Sequence, residues 1–249
     1  GMGCGPRTPC SARCETRPAR RGAVVRDNGP VDIRQAAARL WREILRTDPD
    51  AIFGAETARL LNRHWADRLA QPGYIGTRYG PGGLVFVSMN PGAGPQDGFS
   101  PEDVRQYRAL EGLRDAHDAA LCPAFDELTT ALADIMPTWK IHRNFVVPVL
   151  AAARVDFSQV AYINLLKWRT KASSGLARLY AISWQAHTRA QLELLAPSRV
   201  VAIGSDAGRA FLRHADRPVA FDFIPRVIGN NVGAEGRAAL ARIAAGVRS

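Results

Sequence analysis

The feature that most constrains the fold of this chain is a series of short apolar segments set between longer amphipathic ones. Four segments are apolar over most of their length and are bounded by turn residues: GGLVFVSM, QVAYINLL, SRVVAIG and RPVAFDFI. Short apolar strands that alternate with helices are typical of a parallel sheet covered on both faces. The sequence therefore predicts a three-layer α/β/α fold with a central four-stranded parallel sheet.

Amphipathic segments precede the first strand and connect the others. VDIRQAAARLWREILRT has apolar residues at helical spacing, and AETARLLNRHWADRLAQPG predicts a second helix that ends at its Pro-Gly pair. SPEDVRQ is typical of a helix start, with Ser100 as N-cap, Pro101 next and Asp103 three residues after the cap. Further helices are predicted over AFDELTTALADIM, NFVVPVLAAARV with a bend at Pro148, LARLYAISWQAHTRAQLELLAP, SDAGRAFLRHA and AEGRAALARIAAGV. We expect a single α/β domain over residues 31–249, with helices at its N-terminal side.

The charge of the chain favours a polyanionic partner but does not require one. The formal net charge is +10, and residues 1–30 contain six Arg against Glu15 and Asp27. We expect these residues to form a disordered basic tail. Arg side chains pair with phosphates, although an Arg-rich composition would give the same excess. No apolar run reaches the roughly 18 residues that span a bilayer, so we expect a cytoplasmic, monomeric protein with no membrane partner.

The cysteines and histidines do not form a recognisable metal-binding pattern. Cys4, Cys10 and Cys14 are crowded near the start of the chain, but Cys122 is more than a hundred residues away. A metal or iron-sulfur site is one interpretation of the three crowded thiols, and incidental thiols in a disordered tail are the favoured one. We expect no metal and no cofactor.

Polar residues stand at the carboxyl ends of two predicted strands. Asn90 follows the first strand in MNPGAG, and Asn164 ends the second in AYIN. Ligands of parallel sheets bind at the carboxyl ends of the strands. A dinucleotide-binding loop fits poorly, because the glycines are spaced G-x-G-x-x-x-G and no helix begins at them. A hydrolase elbow in GSDAG would need His214 to activate Asp206, and Asp206 is more simply read as a helix cap.

The segments around both asparagines resemble the uracil-DNA glycosylase superfamily. VSMNPG is similar to the first motif of the mismatch-specific and single-strand-selective branches, which have Asn-Pro-Gly at the end of the first strand. VAYINLLKWRT is similar to the strand that carries the base-reading Asn. RVVAIGSDAGRAFL resembles the strand, Gly and helix that follow. The resemblance covers residues 80–248 and places the three segments in the family's order.

The resemblance implies a glycosylase that flips a base out of DNA and cleaves its N-glycosidic bond. Asn90 would be the catalytic residue that places the water. Base binding is implied for Met89, Pro91, Gly92, Phe99 and Asn164, with Phe99 stacking on the base and Asn164 reading its edge. Simpler interpretations are turn chemistry for Asn90, a bonded core amide for Asn164 and ordinary core for Phe99.

Contacts with the DNA backbone are predicted for a second group of residues, which could equally be a solvated strand end and a turn. These are Lys167, Arg169, Lys171, Asn230 and Asn231. The last two stand in IPRVIGNNVG, where the family often has His-Pro-Ser or Asn-Pro-Ser. Because that motif is altered, a catalytically inactive nucleic-acid- or nucleotide-binding protein on the same fold is the alternative hypothesis.

Overall fold

The computed structural model describes residues 32–61, 68–91, 100–171 and 175–246. The predicted disordered tail, with its three cysteines, lies outside the described residues. So do Gly92 and Phe99, two of the predicted base-binding residues.

The sheet has five strands and is mixed, whereas the sequence predicts four parallel strands. The strand order is β1-β3-β2-β4-β5. β1 pairs with β3 in the antiparallel direction, and β3, β2, β4 and β5 pair in the parallel direction. The strands are β1 (Tyr74–Ile75), β2 (Leu84–Ser88), β3 (Ala161–Asn164), β4 (Arg199–Ile203) and β5 (Ala220–Ile224). The sequence missed β1 because two residues are too short to display a period-two pattern.

The central strands are buried on both faces. Val85, Phe86 and Val87 of β2 are each fully buried, and the four residues of β3 are buried as well. Successive side chains of a strand point to opposite faces, so both faces of the sheet are covered at this point. The register of the parallel pair places Ser88 directly beside Asn164. The carboxyl ends of β2 and β3 therefore meet at one edge of the sheet.

The α-helices are α1 (Ile33–Arg46), α2 (Pro49–Phe53), α3 (Ala55–Leu60), α4 (Pro101–Asp115), α5 (Leu121–Ile135), α6 (Val147–Ala153), α7 (Ala177–Ser183), α8 (Arg189–Leu195), α9 (Ser205–His214) and α10 (Ala234–Gly246). Most lie in segments whose patterns predict them, but α2 is not predicted. The helix predicted to end at the Pro-Gly pair ends at Leu60 instead, because Leu61 is extended and pairs with Thr170. The predicted start of α4 is confirmed: the Ser100 hydroxyl accepts from the Asp103 amide, and the Asp103 carboxylate accepts from the Ser100 amide. This capping box satisfies two donors at the helix start.

Two predicted helices contain π-helical segments. His142–Val146 leads directly into α6, and Trp184–Thr188 joins α7 to α8. The first of these ends just before Pro148, the predicted bend. Since Pro148 has no N–H to donate, a regular α-helical bond is missing at this point. Each π-helical segment changes which side chains face the sheet, and such segments are frequent at functional sites.

Helix α1 is attached to the edge of the sheet by one hydrogen bond. The Trp41 indole donates from Nε1 to the Gly73 carbonyl oxygen at 2.8 Å, and Trp41 itself is fully buried. Gly73 has a φ of +112°, and a Cβ placed there would lie 2.2 Å from the Tyr162 carbonyl oxygen of β3. The approach of the chain to β1 therefore needs a residue without a side chain.

Replacing Gly73 with Ala should destabilise the protein strongly, because the new methyl group collides with the backbone of β3. We expect a loss of roughly 3 kcal/mol in the free energy of unfolding, measured by denaturant titration. Gly112→Ala is the matched control, since it lies within α4 and a Cβ there meets no atom within 4 Å. That variant should be stabilised by up to about 1 kcal/mol. Equal stability of the two variants would contradict the close packing of Gly73 on β3.

Candidate functional site

A cavity of about 690 Å³ opens where β2 and β3 end. The ends of the two strands, the start of α4 and the turns before α6 and α10 contribute to it. Its described lining includes Gln71, Ser88, Asn90, Pro91, Ser100, Glu102, Asp103, Ile135, Thr138, Trp139, Lys140, Ile141, Tyr162, Asn164, Arg169, Arg226 and Asn230. The two asparagines that the sequence singles out therefore share one cavity. Its size is in the range of small-molecule sites.

The Asn164 amide is oriented by a neighbouring hydroxyl group. Ser88 donates from Oγ to Oδ1 of Asn164 at 2.5 Å, between paired positions of adjacent strands. The residue is 7% exposed. Because Oδ1 accepts this bond, Nδ2 is the amide atom that offers donors to a ligand in the cavity. Asn164 is thus arranged to bind a carbonyl oxygen.

Asn90 is oriented in the opposite sense. Its Nδ2 group donates to Oγ1 of Thr170 at 2.6 Å. Thr170 is buried and pairs with Leu61 in an isolated antiparallel bridge. With Nδ2 directed at Thr170, Oδ1 is the Asn90 atom that can accept from a water molecule or a ligand hydroxyl. The cavity thus has an amide acceptor on one strand end and an amide donor on the other.

Arg169 supports the cavity from inside instead of extending into solvent. It is 7% exposed, and it donates from Nε to the Tyr107 hydroxyl at 2.8 Å and from an Nη atom to the Pro91 carbonyl oxygen at 3.0 Å. Gln71 donates to the same Tyr107 hydroxyl at 3.2 Å. These bonds connect the chain after Asn90 to helix α4. Arg169 therefore holds Pro91, shortly after the end of β2. Because it also lines the cavity, its guanidinium can attract an anion.

The opposite wall comes from segments distant in sequence. Arg226 follows β5 and donates to Oδ1 of Asn230 at 2.6 Å, while Asn144 donates to the Asn230 carbonyl oxygen at 2.8 Å. The half-buried Trp139 supplies an aromatic ring, and the exposed Lys140 adds a cation beside it. Asn230 therefore lies at the cavity, and its contact with a DNA backbone stays a prediction.

Tyr162 lies in the cavity on the same face of β3 as Asn164, two residues earlier. Burial raises the pKa of Tyr162, and the Ser88 hydroxyl and the Arg226 guanidinium oppose that shift. The phenol therefore stays protonated at neutral pH.

Three other predicted site residues are placed differently. Lys167 is fully buried, which is incompatible with the predicted contact to a DNA backbone. Met89 is buried and lines a neighbouring cavity of about 430 Å³ instead of the one that contains Asn90. Asn231 is exposed and donates to the Ile228 carbonyl oxygen at 2.9 Å. Lys171 is exposed, as its predicted contact requires.

The neighbouring cavity does not have the arrangement of a hydrolase. Gly204 is the N-cap of α9, so Asp206 lies in the first turn and does not cap the helix as the sequence suggests. Asp206 forms an ion pair with Arg209. His214 instead packs beside the Trp184 ring, with 5.7 Å between ring centroids, and it is not part of the described lining of this cavity. No acid-base pair is formed at GSDAG.

The described residues contain no group of three or more His, Cys, Asp or Glu side chains that could hold a metal ion. No helix among them is long and apolar enough to cross a membrane. Comparison with protein-family models and with curated proteins finds no match to this chain.

Most residues of the described lining were not predicted from the sequence, among them Ser88, Tyr162, Trp139 and Arg226. Ser88 and Tyr162 carried a usable signal, because both face the same side of the sheet as Asn164 once β2 and β3 are paired in parallel. Trp139 and Arg226 had little signal in the sequence, because they reach the cavity from elements that are far away in the chain. The sequence signal for Arg226 as a site residue is that it is a basic residue just beyond the end of a predicted strand.

Replacing Tyr107 with Phe should destabilise the protein, because the hydroxyl accepts hydrogen bonds from both Arg169 and Gln71. We expect a loss of about 2 kcal/mol in the free energy of unfolding, typical of removing a hydrogen-bond partner of a buried charged group. Tyr79→Phe is the control, since that hydroxyl donates only to the neutral Leu195 carbonyl, at 2.9 Å. A smaller loss for Tyr107→Phe than for Tyr79→Phe would contradict the role assigned to Arg169.

Proposed function

We propose that the protein is a monomeric, monofunctional DNA glycosylase that removes uracil or a related damaged base without a metal or cofactor. The proposal includes a three-layer α/β/α arrangement like that of the uracil-DNA glycosylase superfamily. The observation that carries it is the placement of Asn90 and Asn164 in one cavity, at the ends of adjacent parallel strands, with their amides oriented in opposite senses. This is the arrangement that water placement and base reading require.

Base reading follows from the orientation of Asn164. Its Nδ2 group donates to a carbonyl oxygen on the edge of a flipped uracil, whereas cytosine presents an amino group at the corresponding position. Tyr162 and Trp139 form aromatic surfaces in the same cavity. A flat pyrimidine with exocyclic oxygens suits this lining.

Bond cleavage requires a water molecule and stabilisation of the leaving base. The water adds to C1′ of the sugar as the N-glycosidic bond breaks, and the bonding electron pair leaves with the base as an anion. The proton that the water loses is released to solvent. Asn90 accepts a hydrogen bond from the water through Oδ1. Arg169 and Arg226 line the cavity and favour the negative charge that develops on the base. Because an amide cannot take up a proton as a carboxylate does, the reaction is expected to be slow.

An exposed apolar tip beside the cavity supports a base-flipping activity. Ile228 is 97% exposed, on a turn that also contributes Arg226 and Asn230 to the lining. The turn is closed by a hydrogen bond from the Val227 amide to the Asn231 carbonyl oxygen at 3.0 Å. Extrahelical bases leave a gap in the duplex, and proteins commonly fill such gaps with an apolar side chain. Ile228 is the side chain we assign to this role, in the segment where the His-Pro-Ser motif is altered.

A non-catalytic nucleic-acid- or nucleotide-binding protein is the second candidate. The observation in its favour is that the Asn90 amide already donates to Thr170 and that position 90 has no carboxylate to activate water. The same cavity would then hold a base without cleaving it.

The catalytic proposal is tested with end-labelled oligonucleotides that contain uracil opposite G, opposite A or unpaired. Abasic sites are revealed by alkali. We expect the wild-type chain to release uracil, and Asn90→Ala and Asn164→Ala each to lower the rate by about 100-fold or more, as for other residues that stabilise a transition state. Thr130→Val, on an exposed face of α5, is the control and should keep full activity. Salt-dependent binding without cleavage of any substrate would favour the second candidate.

Ile228→Ala should distinguish duplex from single-stranded substrates. We expect the rate on duplex uracil to fall by at least about tenfold, because the unstacked gap is no longer filled. The rate on the unpaired strand should remain near that of the wild type. Leu212→Ala is the matched control, since Leu212 is also strongly exposed but lies on α9 away from the described cavity linings. Equal loss on both substrates would contradict the assignment.

A further inference from the structure

Lys167 is a fully buried cationic residue three positions after the base-reading Asn164. Its Nζ atom donates to the Asn164 carbonyl oxygen and, at 3.0 Å, to Oγ1 of Thr188. Thr188 is the last residue of the π-helical segment between α7 and α8, and it is fully buried as well. Lys167 therefore joins the end of β3 to a helix behind it.

The backbone of residues 164–166 is bonded on both sides. The amides of Leu165 and Leu166 donate to the carbonyl oxygens of Ser88 and Met89, both at 2.8 Å. On the other side, Lys167 donates to the Asn164 carbonyl oxygen, and the Thr188 hydroxyl donates to the Leu165 carbonyl oxygen at 3.1 Å. Buried backbone groups need such partners. Two side chains thus donate the hydrogen bonds that a neighbouring strand would otherwise donate to these carbonyl oxygens.

The surroundings of Lys167 disfavour its charged form. No salt bridge to Lys167 is found in the part of the chain that the structure describes, and burial holds its pKa well below the ordinary value. Both hydrogen bonds that it donates go to neutral oxygen atoms. His187, on the same π-helical segment as Thr188, is also buried, and this burial lowers its pKa to about 4. The side chain is therefore suited to hold backbone atoms in place and not to bind phosphate.

We propose that Lys167 is a positioning residue which, together with Thr188, fixes the backbone that carries the base-reading amide of Asn164. The proposal rests on the glycosylase function proposed above and deepens it. The hydroxyl of Ser88 orients the Asn164 amide from the cavity side, and Lys167 holds the carbonyl oxygen of the same residue from behind. Without Lys167, the donor that reads the base loses its fixed location.

The test uses Lys167→Met, which keeps the length of the side chain but removes its donors. Thr188→Val removes the bridging hydroxyl with little change of shape, and Thr188→Ser retains it. Thr130→Val is the control for loss of an exposed Thr hydroxyl, since that group donates within its own helix to the Asp126 carbonyl oxygen. For each variant we would measure kcat and KM on a uracil-containing oligonucleotide, inhibition by free uracil, and hydrogen exchange of the Leu165 and Leu166 amides.

We expect Lys167→Met to lower kcat by about 10- to 100-fold, which is typical when a reacting group is displaced by about 1 Å. Inhibition by free uracil should weaken, while KM for DNA changes little. Thr188→Val should show a smaller loss of the same kind, and Thr188→Ser should restore activity. If Lys167 only stabilised the fold, its replacement would lower the melting temperature but would not lower kcat while leaving KM for DNA nearly unchanged.

Two results would overturn the positioning role. One is an active Lys167→Met variant with unchanged kcat and unchanged inhibition by uracil. The other is unchanged exchange of the Leu165 and Leu166 amides in both Lys167→Met and Thr188→Val. If Lys167→Met does not fold, the comparison of Thr188→Val with Thr188→Ser tests the positioning role.

The proposed glycosylase function can be disproved independently of the positioning role. If the wild-type chain releases no base from any substrate, faster exchange of these amides in Lys167→Met and Thr188→Val, but not in Thr188→Ser, still supports the positioning role.

Discussion

The parallel pairing of β2 with β3 is the constraint on which the site depends. It sets Ser88 beside Asn164, so that one hydroxyl fixes which end of the amide faces the cavity. It also places Asn90 one strand away from Asn164, since both strands end at the same edge of the sheet. A register shift of one residue would turn the side chain of Asn164 to the opposite face.

The buried basic side chains of Arg169 and Lys167 stabilise the backbone at this edge of the sheet. Arg169 ties the chain after Asn90 to Tyr107, and Lys167 ties the chain after Asn164 to Thr188. Burial of a charged group is unfavourable unless hydrogen bonds compensate. Arg169 donates to the Tyr107 hydroxyl and to the Pro91 carbonyl oxygen. Burial holds the pKa of Lys167 well below its ordinary value, and its Nζ atom donates to the Asn164 carbonyl oxygen and the Thr188 hydroxyl.

Much of the fold could be predicted from local patterns. The apolar segments of β2, β3, β4 and β5 and the capping box of α4 all lie where the sequence predicts them. β1 could not be predicted, because its two residues become a strand only through pairing with β3. The π-helical segments were missed for a related reason, since their apolar pattern does not distinguish them from α-helices.

The apolar patterns predict where the strands end, so Asn90 and Asn164 could be placed at the carboxyl ends of two strands from the sequence. The adjacency of those two strands, and the groups that surround both side chains, depend on tertiary packing. Lys167, Arg169 and Lys171 look alike in the sequence as cations after a strand, yet the first two are buried and only the third is exposed. The difference arises because helices distant in the chain cover this strand end. Burial depends on those partners, which no pattern within the segment specifies.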